Sequence, residues 1–191
     1  MHAKVIWQIC ALFLIVMIQG CSHRNIKELE KEIMNTSVSI PWDSLEELTP
    51  VRPFIQNSDS NPDFRYIVYF DTTECAPCQL HKMGIWHSVM KHTQEIGVKV
   101  NFLYIFHPSS PQVAIIRDDF YQQKISLRII IDSIGITERI NPILKKGKSY
   151  HAFLIDSNNH IVAVGNAGND AHAEHRYYEL LRKVKNQNDT L

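Results

Sequence analysis

Four residues, Cys75-Ala76-Pro77-Cys78, constrain this 191-residue chain more than any others. They follow an apolar, β-rich run, Phe64-Arg65-Tyr66-Ile67-Val68-Tyr69-Phe70, and open a stretch of helical spacing. A thiol at a helix N-terminus has its thiolate stabilised by unpaired backbone N–H groups and by the helix dipole. A second thiol three residues on lies one turn away, close enough to close a disulfide. The quartet therefore predicts a strand-to-helix junction that carries a reversible dithiol.

The other cysteines sharpen this reading. The chain has four. Cys10 lies in an apolar N-terminal run and Cys21 directly follows Ile18-Gln19-Gly20, which leaves Cys75 and Cys78 as the thiol pair of a folded domain. A structural disulfide framework would need more cysteines at wider spacing. A zinc site would need two further ligands; His81 offers one, and no fourth is marked in the sequence. Gln79, not histidine, follows Cys78, so covalent haem attachment is unsupported. With no dinucleotide loop either, no metal and no cofactor is expected.

Lys4 is the one Lys, Arg, Asp or Glu before Cys21, and Val5 to Ile18 is apolar apart from Gln8. This is a short positive region followed by an apolar region of signal-peptide length, shorter than the roughly 20 residues of a membrane span. The ending Ile18-Gln19-Gly20-Cys21-Ser22 resembles the lipobox of bacterial lipoproteins. That resemblance implies cleavage before Cys21 and lipidation of its thiol. The competing reading is an uncleaved N-terminal anchor helix. Lipidation at Cys21 would tether the domain outside the cytoplasm, where disulfides persist. The expected organisation is a signal over 1–20, a tether and irregular segment over 21–62, one domain over 63–187 and a tail over 188–191. Lys and Arg balance Asp and Glu at 20 each, and loss of Lys4 with the signal leaves the remainder near −1. No basic stripe argues for nucleic acid.

Hydropathy supplies the rest. Arg24 to Met34 has Ile26, Leu29 and Ile33 at helical spacing. Residues 35–62 are rich in Pro, Ser, Asn and Asp and read as an irregular wrap, with one short strand near Val38 to Ile40. Tyr66 to Phe70 reads as a buried central strand. One helix is expected from Pro77 to about Ile96, with Met83, Trp86 and Met90 on its core stripe and Gly97 ending it. A strand over Val98 to Phe106, a helix over Pro111 to Tyr121 and a short strand over Leu127 to Ile131 follow. Gly135 to Leu144 begins helical and loosens after Pro142. Ala152 to Ile155 and Ile161 to Gly165 form a hairpin around Asp156-Ser157-Asn158-Asn159-His160. Ala171 to Lys185 is a closing helix with Tyr178, Leu181 and Val184 inward. The alternation predicts an α/β fold: a central mixed sheet, parallel in its middle, with helices on both faces and an antiparallel hairpin at one edge.

This order, with the dithiol after the first core strand, resembles the thioredoxin-like fold. The chain is most similar to periplasmic thioredoxin-like lipoproteins related to the ResA and TlpA group, of a kind seen in Bacteroidetes. Cys75-Ala76-Pro77-Cys78 and Phe153-Leu154-Ile155-Asp156 followed by Asn158-Asn159-His160-Ile161-Val162 carry the likeness, which runs from about Phe64 to Lys185. It implies that Cys75 attacks and Cys78 resolves. Three positions depart from the pattern. The proline that precedes the third core strand in that family is replaced by Tyr150, whose peptide should be trans, because a non-proline cis bond costs about 3–4 kcal/mol. Glu74 stands where an aromatic precedes the first cysteine; its charge would disfavour a neighbouring thiolate and restrain exchange. The buried acid of thioredoxins falls at Tyr69, so Asp71, Glu74 or His151 would have to tune the dithiol or move its proton.

The resemblance implies a membrane-anchored thiol–disulfide oxidoreductase that reduces partner protein disulfides and takes electrons from a membrane donor. The alternative is a non-catalytic binding or metal-handling lipoprotein on the same scaffold. The N-terminal reading is tested by metabolic labelling with palmitate: the wild-type chain should incorporate label, and Cys21→Ala should lose it and persist as uncleaved precursor. Equal labelling of the two would refute lipidation at Cys21.

Overall fold

The computed structural model describes residues 31, 33, 34, 36–54 and 61–189. The signal reading, Cys21 and most of the Arg24 to Met34 helix therefore lie outside the described residues. Contacts divide the chain into units of Met1–Thr36 and Ser37–Leu191; the second holds the sheet. Among the described residues no helix is long and apolar enough to cross a membrane.

Six strands form one sheet: β1 (Glu46–Leu48), β2 (Phe64–Phe70), β3 (Val100–Phe106), β4 (Ile129–Ile131), β5 (Ala152–Asp156) and β6 (Ile161–Val164). Their order across the sheet is β1-β4-β3-β2-β5-β6. β2, β3 and β4 run parallel, while β5, β6 and β1 are antiparallel to their neighbours. Parallel strands need crossovers. Here α1 (Ala76–His81) and α2 (Trp86–Ile96) join β2 to β3, and α3 (Ser110–Gln122) joins β3 to β4. The short α4 (Ile136–Ile140) follows β4, and α5 (Ala171–Asn188) closes the chain.

Side chains alternate across the strands and divide the core in two. On one face Tyr66, Val68 and Phe70 of β2 pack with Phe102, Tyr104 and Phe106 of β3 and with Leu80, Trp86, Met90, Ile116 and Leu181 from the helices. Met83, Trp86 and Met90 are all buried, as the stripe predicts. On the other face Ile67, Tyr69, Leu103 and Ile105 are equally buried. There the Tyr69 hydroxyl donates to Glu138 of α4 at 3.3 Å. Burial, with Glu138 and Asp132 nearby, pushes the Tyr69 phenol far above its ordinary range, so it stays protonated.

Three local expectations are corrected. The strand near Val38 to Ile40 is only a bridge between Ser37 and His160, backed by a Val38 N–H to Asn159 C=O bond of 2.9 Å. The strand of this region is β1, which pairs with β4 as an antiparallel edge. The single helix over Pro77 to Ile96 is two helices around a 3-10 turn at Met83–Ile85. There the N–H groups of Lys82 and Ile85 reach back only three residues, to Gln79 and Lys82. Gly84, with no side chain to pack and a poor helix former, sits in that break. In the closing helix Tyr177 joins Tyr178 and Leu181 in the core, whereas Val184 is only half-buried. Gly97 ends α2 as expected, at φ +84°.

Trp86 ties the parts together. Its ring stands edge-on to Tyr66 and Tyr104, each at 5.4 Å, and Trp86 is 2% exposed. The Tyr66 hydroxyl donates to Gly165 C=O and accepts from Ala167 N–H, which pins the 165–168 segment against the same ring. A Cβ on Gly168 would lie 2.8 Å from Trp86 Cε2. With the ring held on several sides, relief must come from the backbone. Gly168→Ala is therefore expected to destabilise the domain by about 1–3 kcal/mol, read from the urea midpoint. An unchanged midpoint would show that this contact has slack.

Candidate active site

The site forms where β2 ends and β5 begins. β2 and β5 pair antiparallel with Val68 opposite Ala152. Tyr69 N–H extends the pairing to His151 C=O at 2.7 Å. The residue after β2, Asp71, and the residue before β5, His151, are thereby brought side by side. The chain then turns. Asp71 Oδ1 accepts from Thr73 N–H at 2.8 Å and Thr73 Oγ at 2.6 Å, and Glu74 N–H donates to Asp71 C=O at 3.1 Å. This side-chain-capped turn sets Glu74 beside the start of α1.

Cys75 caps α1. Its C=O accepts the first helical bond from Gln79 N–H at 3.0 Å, and its Sγ accepts from Cys78 N–H at 3.3 Å. Pro77, in the first turn, pre-sets its own φ and needs no intrahelical partner for its nitrogen. Gln112 Oε1, from the first turn of α3, accepts Ala76 N–H at 3.4 Å. Cys75 and Cys78 are joined by a disulfide with a Cα–Cα distance of 5.2 Å. Both cysteines are exposed. What separates the two sulfurs is the backbone N–H aimed at Cys75 Sγ.

Glu74 is turned inward, with its side chain 15% exposed. Its Oε2 accepts from Gln79 Nε2 at 3.0 Å, and its Oε1 lies 3.9 Å from His151 Nδ1. Its charge is therefore directed at Gln79 and His151. His151 is 6% exposed, and its Nε2–H donates to Leu144 C=O at 2.9 Å. Burial works against a charged imidazole, but Glu74, the Leu144 carbonyl and Asp71 outweigh it and raise the His151 pKa above its ordinary value. For Asp71 burial works upward, and the two Thr73 bonds with His151 and Lys148 reverse it, leaving the carboxyl below its usual range. Tyr150 is in the trans form expected, since no described peptide bond is cis, and it is buried at 7% exposure. Its ring packs into the interior rather than lying free in a groove.

The structure thus gathers Cys75, Cys78, Asp71, Glu74 and His151 at one end of the sheet, with Tyr150 next in the chain. His81 is drawn elsewhere, to Gln123 at 2.7 Å and Asp119 at 3.5 Å on α3, and does not complete a ligand set with the cysteines. Sequence reasoning missed Gln79, Gln112 and the Leu144 carbonyl. Gln79 lies in the first turn of the helix that Cys75 caps, and that spacing was the one signal available; the other two are set only by tertiary packing.

Parallel β2–β3–β4 with an antiparallel β5–β6 hairpin beside β2, and a Cys-x-x-Cys disulfide at the β2–α1 junction, define a thioredoxin-like fold. No family model matches this chain, and no curated protein matches its sequence. Among solved structures it is similar to a thioredoxin-like protein from Porphyromonas gingivalis, at 18% identity and a TM-score of 0.46, over 68% of this chain and 79% of that one. It is also similar to PrxQ from Xylella fastidiosa, at 17% identity and 0.43 over 68% and 80%. StoA from Bacillus subtilis is a third such structure, at 13% and 0.39 over 62% and 86%. The fold class follows from the strand order and directions and owes nothing to these similarities.

After reduction, the Cys78 N–H held on Cys75 Sγ favours the Cys75 thiolate. A short iodoacetamide pulse followed by mass-spectrometric mapping should therefore find Cys75 alkylated faster. Preferential labelling of Cys78 would reverse the assignment of roles.

Proposed function

We propose that this protein is a thiol–disulfide oxidoreductase, tethered in the cell envelope by a lipid on Cys21, that reduces disulfides of partner proteins. The observation that carries the reading is the exposed Cys75–Cys78 disulfide at the start of α1, with a backbone N–H trained on one of its two sulfurs. A purely structural disulfide gains most when it closes a long loop and is shielded. This one joins residues only three apart in sequence, and both cysteines are exposed.

In the reducing direction the cycle balances as follows. The Cys75 thiolate attacks one sulfur of the partner disulfide, and the other partner sulfur leaves as a thiolate. The Cys78 thiolate then attacks Cys75 Sγ and expels the second partner sulfur. The partner gains two electrons and two protons, and Cys75–Cys78 ends oxidised. A membrane-borne dithiol donor must then return two electrons. On this reading Asp71, Glu74 and His151, which lie within 4.8 Å of one another, tune the pair or exchange its protons. Thiol exchange is preferred to a binding-only scaffold because both sulfurs are reachable.

The test is capture in cells. Cys78→Ser cannot resolve the mixed disulfide and should accumulate reductant-sensitive adducts with envelope proteins, and Cys75→Ser with Cys78→Ser should abolish them. Absence of adducts that depend on Cys75 would refute the assignment.

A further inference from the structure

We propose that Asp71, Glu74 and His151 form a binding site for a divalent first-row transition-metal ion such as Zn2+, separate from the sulfurs. One nitrogen or oxygen from each residue lies within 4.8 Å of the others, and among the described residues this is the one such cluster. Two carboxylates alone would be an ordinary polar surface. The imidazole makes the difference.

His151 is buried, with its side chain 8% exposed, and its Nδ1 has no hydrogen-bond partner. The orientation is fixed from behind. Leu144 C=O can only accept, so Nε2 carries a proton, and Nδ1 faces the carboxylates, 3.9 Å from Glu74 Oε1. A positive charge at that nitrogen is favoured, and either a proton or a metal ion that displaces it can supply it. A backbone carbonyl behind the distal N–H is the arrangement that orients metal-bound histidines generally. Imidazole with carboxylate suits zinc and its neighbours better than calcium or magnesium. The two carboxylates with a neutral ring match the charge of a divalent ion, with Lys148 within electrostatic reach of Asp71.

Size fits with a small adjustment. Donors bound to one zinc at about 2.0–2.2 Å sit roughly 3–3.5 Å apart, so the three groups must close by about an ångström. Asp71 and Glu74 are half-buried and bracket a turn, where such a swing requires no change in the sheet. Three protein donors leave a coordination position for water.

The experiment uses the full chain in detergent with its disulfide intact, dialysed against Zn2+ and analysed for bound metal. One ion per chain is expected. Because His151→Ala leaves a gap in the interior, Glu74→Gln is run beside it as a variant of unchanged shape. Each should weaken binding at least tenfold, while Cys75→Ser with Cys78→Ser should bind as the wild type does. The inference is overturned if no stoichiometric zinc is retained, if Glu74→Gln and His151→Ala both bind normally, or if binding is lost with the two serines. Since the disulfide stays closed in every protein except the double serine, which has no thiol at these positions to exchange, the result does not depend on whether the dithiol exchanges with partners.

Discussion

The antiparallel pairing of β2 with β5 governs everything at the functional end of this molecule. Register alone places Val68 opposite Ala152, and one further bond, Tyr69 N–H to His151 C=O, carries the pairing to the edge of the sheet. Asp71 and His151, 80 residues apart in sequence, then become neighbours. A slip of one residue would turn the side chains of β5 to the opposite face. Phe153 and Leu154, now packed on opposite sides of the sheet, would exchange places, and His151 would leave the interior. The register is therefore held by the whole buried length of β5, far more strongly than by any group in the site.

On this frame the dithiol and the polar triad occupy adjoining positions and differ in exposure. The sulfurs lie in the open, at the first turn of a six-residue helix whose early N–H groups are taken by Cys75 Sγ and Gln112. The triad is less open, with the imidazole in the interior and the carboxylates half out. A large partner can reach the first without entering the second. The covalent link between the two is the Glu74–Cys75 bond, so any change in charge around Glu74 is felt at the start of α1.

The sequence disclosed most of the fold because its signals were local. β2 and β3 are continuous apolar runs flanked by turns, Gly97 marks a helix end by its backbone conformation, and Asn158-Asn159 marks the hairpin. It did not disclose β1. Glu46-Glu47-Leu48 has no strand-like composition and becomes a strand because β4 presents an open edge, to which Arg128 adds an ion pair with Glu47 at 3.3 Å. The break at residues 83–85 was hidden by a stripe that continues across it, since Met83 and Trp86 are buried in either geometry. In the site, Cys75 and Cys78 were legible from spacing, and Asp71, Glu74 and His151 from their flanking positions. Their convergence on one buried nitrogen was not, because it depends on strand register and on the Leu144 carbonyl.

The claim at the centre of this account is that Cys75–Cys78 is a working redox pair. Its midpoint potential tests this most directly, obtained by equilibrating the protein across defined ratios of reduced to oxidised dithiothreitol and of glutathione, then trapping and counting free thiols. The account predicts a midpoint within the span of known exchange proteins, roughly −270 to −120 mV. A value below about −300 mV, where structural disulfides of secreted proteins fall, would contradict it.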